Sequence, residues 1–247
     1  MIETAILAAF LAFCRIGGCF MLMPGFASVR VPMQVRLFIA VAATLALLAT
    51  MWDTIAPAVD RRPDQLARLV ASEVMIGALI GLMARLYVLA LQFIGSGIAM
   101  MTGFGGMLGP AIEEPEPQAA LAAIISFSAL LLLFVFDFHH QIVRALILSY
   151  RLAPISGTFD PASALTDLTD TLSESFLVVL RLGSPFVAYG ILVNLATGFI
   201  NKLSPQIPVY FISLPFVITG GLVLVYFAIP TMLSLFADGF VPVTIGR

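Results

Sequence analysis

Apolar residues fall in six long blocks separated by polar or proline-marked breaks. The first covers 5–23 and stops at Pro24-Gly25, and the second covers about 37–52, after Pro32 and Arg36. A polar turn at 53–64 leads to a third block at 69–101, and a glycine-rich, then acidic, loop at 102–118 follows it. The fourth block is 119–138, continued by a mixed-polarity helical stretch at 137–151. A polar connection at 154–170, rich in Asp, Ser and Thr, suits turns and helix capping. The last two blocks are 176–200 and 209–236. Apolar runs of about 18 residues or more with few charges are membrane-helix candidates. The pattern therefore predicts an all-α, polytopic membrane-type protein with about six long apolar helices, some of them broken. The third block is about 50 Å long as one helix, well beyond a ~30 Å hydrocarbon core. It must tilt steeply, break near Gly95-Ser96-Gly97, or lie outside an ordinary bilayer setting.

Composition sharpens this picture. Of 247 residues, 61% are hydrophobic and 11% charged, against about 25% charged in soluble domains. No stretch is left over for a separate soluble domain, so residues 1–247 read as one unit. The net charge is −2 and Lys202 is the single lysine. No basic patch exists for nucleic acid, and no polybasic cluster for anionic lipid. Cys14 and Cys19 point to different faces of one helix and read as small core residues. The first charge is Glu3, with no basic region before the first block, which is expected to remain as a helix. The connections are too evenly supplied with arginine to set membrane orientation.

Four ionisable residues interrupt the apolar blocks: Arg15, Glu73, Arg85 and Arg181. Each costs about 2.5–3.5 kcal/mol at the centre of an isolated span, so each is expected to face protein or a water-filled path. One carboxylate among three arginines suits charges that fix helix contacts in an assembly better than a proton relay. Glu73 and Arg85 are too far apart on one helix to pair, so their partners must lie elsewhere. Gly77 and Gly81 form a G-x-x-x-G face that lets helices approach closely. His139-His140 are adjacent with no Cys or third His near, too few ligands for a metal site on sequence grounds. Gly95-Ser96-Gly97 with His139 does not fit the intramembrane serine protease pattern, because Ile94 stands where glycine is needed. No coherent acid, base, nucleophile, metal or cofactor set emerges, and no enzyme is expected.

Two further stretches carry candidate chemistry. The loop Gly103-Phe104-Gly105-Gly106-Met107-Leu108-Gly109-Pro110 has four glycines and three bulky apolar residues. Such a loop fits either a movable stopper or a tight helix corner. It lacks the residues of a phosphate cradle, and Glu113, Glu114 and Glu116 beyond it read as a solvated acidic segment. Between blocks five and six, Asn201, Lys202, Pro205 and Gln206 mark a helix break. There the proline should turn the chain into a hairpin, and Asn201 and Gln206 could bond freed backbone groups.

These residues, in this order, resemble the FliR family of flagellar export proteins and its injectisome counterparts, over nearly the whole chain. The matching features are Arg15, Met23-Pro24, Pro32 and Arg36; Glu73, Gly77 and Gly81; and Gly106-Met107-Leu108-Gly109. They continue with Phe136-Asp137-Phe138-His139 against the family's F-N-G-H, with Phe138 in place of glycine. Ser149-Tyr150, Pro154, Asn194, Asn201-Lys202, Pro205-Gln206, Val209-Tyr210-Phe211 and Pro215 complete the series, with Pro208 replacing a polar residue. The resemblance implies a core subunit of the type III export gate, in the bacterial inner membrane at the flagellar basal body. It implies assembly with FliP and FliQ into the pore for unfolded flagellar proteins, with FlhB and FlhA beside it. It further implies a FliP-like part at 1–174, a FliQ-like hairpin at 175–247, and a pore plug at 103–110. The competing class is a secondary transporter for a small solute, which shares broken helices and midplane charges. An inverted repeat would favour it, and none is visible.

Overall fold

The computed structural model describes residues 2–58, 62–109, 117–155 and 159–244, with the backbone alone for 241–244. Pro110 and the acidic residues Glu113, Glu114 and Glu116 lie outside the described residues. Seven α-helices are present among them: α1 (Ile2–Leu22), α2 (Met33–Ile55), α3 (Pro63–Met101), α4 (Ala120–Val135), α5 (Phe138–Leu152), α6 (Pro161–Leu203) and α7 (Val209–Thr244). A short 3₁₀ turn, Ala56–Ala58, ends α2. The protein is a polytopic helical membrane protein. Five helices are long and apolar enough to cross a membrane, and α4 with α5 makes a sixth span if the bent pair counts as one.

The third block does not break. α3 runs unbroken for 39 residues, close to 60 Å at about 1.5 Å per residue. Its glycines serve packing instead: Gly95 lies against Ala122 of α4, while Ser96 Oγ donates to the Gln92 carbonyl within the helix. The fourth block does break. α4 stops at Val135, and Asp137 takes a left-handed backbone conformation (φ 57°). The chain then bends by 63° into α5. The polar connection at 154–170 is shorter than its composition suggests, because α6 already begins at Pro161. Asp160 caps that helix by accepting from the Ala162 N–H (3.1 Å).

α6 continues for 43 residues despite Pro185. A proline there removes the N–H that would bond the Arg181 carbonyl. The Ser184 hydroxyl donates to that carbonyl instead (3.0 Å).

α3 is the axis of the molecule and packs against α1, α6, α4, α7 and α5. The main core lies around it and includes Leu91, Ile98, Ala122, Ile125, Phe186 and Phe236. A smaller cluster of Leu11, Met51, Ile55, Tyr150 and Ile155 closes one end between α1, α2 and α5. Both cysteines are buried and unbridged. Glycines of α7 seat polar side chains: Gly220 lies against the Tyr189 hydroxyl and Gly239 against that of Tyr87. Those hydroxyls donate to α7 carbonyls, Tyr189 to Val217 (2.7 Å) and Tyr87 to Phe236 (2.8 Å).

Candidate functional site

Two of the four intramembrane charges meet. Arg15 of α1 and Glu73 of α3 are both fully buried. Arg15 Nε and Nη2 donate to the two carboxylate oxygens at 2.7 and 2.6 Å. Such a fork is among the stronger hydrogen-bonded pairings available to a protein. Two further donors are also used. Nη1 donates to Ser149 Oγ (3.0 Å) and Nη2 to the Ala153 carbonyl (2.9 Å), both at the end of α5. The guanidinium lies over the Tyr150 ring, 3.9 Å from its centroid. One side chain therefore ties α1, α3 and α5 into a single knot.

The backbone makes the knot possible. A Cβ at Gly77 would run into the Arg15 backbone, one at Gly81 into the Cys19 carbonyl, and one at Gly18 into the Val74 carbonyl. The G-x-x-x-G face is thus spent within the chain, bringing α1 and α3 close enough for Arg15 to reach Glu73. The other two charges differ. Arg85 is half-buried, and Arg181 is exposed on α6.

The glycine loop leaves α3 at Thr102, which is buried against Gly221 of α7. Gly103 takes a positive φ of 84° and lies against Leu214, Val217 and Ile218 of α7. Phe104 is half-buried and packed against the main core. Gly105, Gly106, Met107 and Leu108 are exposed, and Gly109 is half-buried. The loop is closed by one antiparallel bridge between Leu108 and Ala119. Its two hydrogen bonds run from Gly109 N to Gln118 O and from Ala120 N to Met107 O, both 2.7 Å. The exposed lobe is therefore a short glycine bow with an apolar rim, anchored at both feet.

At the α6–α7 break the two helices pack as a hairpin, as the proline predicts. The turn satisfies itself by backbone bonds, Ser204 N to Ile200 O (2.9 Å) and Ile207 N to Ser204 O (3.1 Å). Asn201, Lys202, Pro205 and Gln206 are all exposed. Neither Asn201 nor Gln206 bonds a freed backbone group, which corrects that expectation. Asn194 is exposed and donates to the Gly190 carbonyl of its own helix (2.8 Å).

Sequence reasoning did not place Ser149 and Tyr150 beside Arg15, since the Arg15–Ser149 bond spans 134 positions. Their only signal was membership in the same family-like series. The apolar pattern places Asp137 inside a continuing helical stretch, whereas its left-handed conformation sets the bend.

A knot of buried charge that ties α1, α3 and α5 together, beside five helices long and apolar enough to cross a bilayer, belongs to a membrane-embedded helical protein. The family model described as "Bacterial export proteins, family 1" matches residues 6–242, and the chain belongs to that family. It is similar to the flagellar biosynthetic protein FliR of Caulobacter vibrioides, 28% identical, covering 94% of this chain and 92% of that protein. FliR of Escherichia coli K12 is 28% identical over 81% of this chain and 76% of its own length. FliR of Aquifex aeolicus is 24% identical over 96% and 93%.

Proposed function

We propose that this chain is a core subunit of the flagellar type III export gate in the bacterial inner membrane, at the flagellar basal body. In this reading it assembles with FliP and FliQ around a pore for unfolded flagellar proteins, with FlhB and FlhA alongside. The observation that carries it is family membership over nearly the whole chain. The shape of the molecule supports the reading. α6 and α7 are 43 and 36 residues long, and both expose large apolar side chains along their length, among them Leu192, Phe199, Phe216 and Phe227. At about 1.5 Å per residue both far exceed a ~30 Å bilayer core, so part of that apolar surface needs protein to cover it. The FliP-like part is assigned to 1–174 and the FliQ-like hairpin to 175–247, a boundary that falls inside the continuous helix α6. The loop from Gly103 to Pro110 is assigned as the plug. The flagellar reading is preferred to the injectisome one because the relatives described above carry flagellar names.

Co-expression with FliP and FliQ, followed by purification in mild detergent, tests the reading. A stable hetero-oligomer containing all three chains is the expected result. A monomer or homodimer that takes up a small solute saturably in proteoliposomes overturns it in favour of a transporter.

A further inference from the structure

Among the described residues, one group of three potential metal ligands converges: Asp137, His139 and His140, at the bend between α4 and α5. Consecutive helical residues ordinarily diverge. Here the first turn of α5 leaves the two rings with centroids only 4.3 Å apart. The left-handed backbone at Asp137 turns its carboxylate back toward both rings. Asp137 Oδ1 lies 3.3 Å from His140 Nδ1 and 3.7 Å from His139 Nε2.

Those separations are long for hydrogen bonds to a carboxylate, which run about 2.7–2.9 Å when charge-assisted. They suit a shared cation. Donors about 2.0–2.1 Å from a zinc ion are roughly 3.4 Å apart in a tetrahedron. The three ligand atoms all lie within 4.8 Å of one another, so small rotations of the side chains bring them into place. His139 is held in position: the Phe134 ring stacks on it at 5.8 Å and the Phe138 ring meets it edge-on at 6.1 Å. Its Nδ1 is buried without a partner, which leaves Nε2, the nitrogen facing Asp137, as its working atom. The site is open on one side, since Asp137 and His140 are two-thirds exposed. Water or a further donor would complete the coordination.

We propose that Asp137, His139 and His140 form a binding site for one divalent first-row transition metal, with two imidazoles and one carboxylate as ligands. Imidazole nitrogen suits zinc, copper, iron and nickel, and a two-histidine, one-carboxylate set leaves positions open. Bound there, the ion ties Asp137, the left-handed residue at the bend, to the first turn of α5.

The test uses the full chain in detergent, carrying no polyhistidine tag, with Zn²⁺ as the probe. Titration calorimetry and metal analysis after gel filtration are expected to give one Zn²⁺ per chain. Co²⁺ in its place is expected to give the visible absorption of an imidazole-bound ion. His140→Ala and Asp137→Asn should each weaken binding at least tenfold. Asn tolerates the left-handed conformation nearly as well as Asp does, so Asp137→Asn removes a ligand while sparing the bend. The absence of stoichiometric Zn²⁺ overturns the proposal, and so does wild-type affinity in either variant.

Discussion

At the residue scale, the molecule depends most on Arg15. Its partners lie on α3 and α5, and both members of the ion pair are fully buried. Removing one member of a buried pair strands the other charge, typically at about 3–5 kcal/mol. Glu73→Ala is therefore expected to lower the unfolding free energy by about that amount, read as a lower thermal midpoint of the purified chain in detergent. Glu73→Gln keeps the shape and part of the hydrogen bonding and should cost less. Replacing both residues by apolar ones, Arg15→Met with Glu73→Leu, should recover most of the loss, because no lone charge is then left behind. A Glu73→Ala midpoint equal to wild type would show that the knot contributes little. If Glu73→Gln assembles normally but loses export in a pH-dependent way, Glu73 carries protons and the knot reading fails.

At the element scale, the fit between α1 and α3 rests on Gly18, Gly77 and Gly81. Gly77→Val places branched carbons where the Arg15 backbone already stands. The expected outcome is loss of folded chain on gel filtration, with a larger effect than for a valine at Gly106, which has open space around it. The loop divides in a similar way. Phe104→Ala removes a half-buried ring and should cost about 1–2 kcal/mol of stability through lost apolar contact. Shortening the exposed bow at 105–107 should leave assembly intact and make the membrane leak ions, measured as bilayer conductance. A tight membrane in that variant reduces the loop to a corner between helices. Much of this architecture was legible in the pattern of apolar blocks, because membrane-length runs leave a strong signal. The first turns of α6 were not, since residues 161–175 are polar and their helix was hidden behind turn-forming composition. Nor could block position tell Glu73 from Arg181. Both interrupt apolar runs, and only the packing decides that one is sealed inside and the other faces out. Gln206 is silent for a related reason: a polar residue beside a proline invites a capping bond, but the backbone of the turn already supplies the bonds there.

At the scale of the whole molecule, the uncovered faces of α6 and α7 carry the assembly prediction. Phe199 and Phe216 are exposed on the two arms of the hairpin. Phe199→Glu with Phe216→Glu should leave the arms' own packing largely unchanged yet abolish co-purification with FliP and FliQ. If the complex forms in normal yield, these faces meet lipid and not protein.

The single bridge between Leu108 and Ala119 has a mechanical consequence. Its hydrogen bonds flank the pair rather than join it, so the two residues form a close pair, with Cα atoms about 4.5 Å apart in such ladders. That spacing lies within the range a disulfide can span, about 4.4–6.8 Å. While the bridge holds, the exposed bow at 105–107 is pinned between Phe104, packed on the core, and the bridge, and three extended residues reach at most about 11 Å. If the loop is the proposed plug, moving it further aside requires the bridge to part, which makes the bridge its latch. Leu108→Cys with Ala119→Cys turns this latch into a lock that opens with reductant. Under oxidation, export of flagellar protein should stop, and dithiothreitol should restore it. Undiminished export from fully cross-linked protein would mean that the traffic passes with the latch shut.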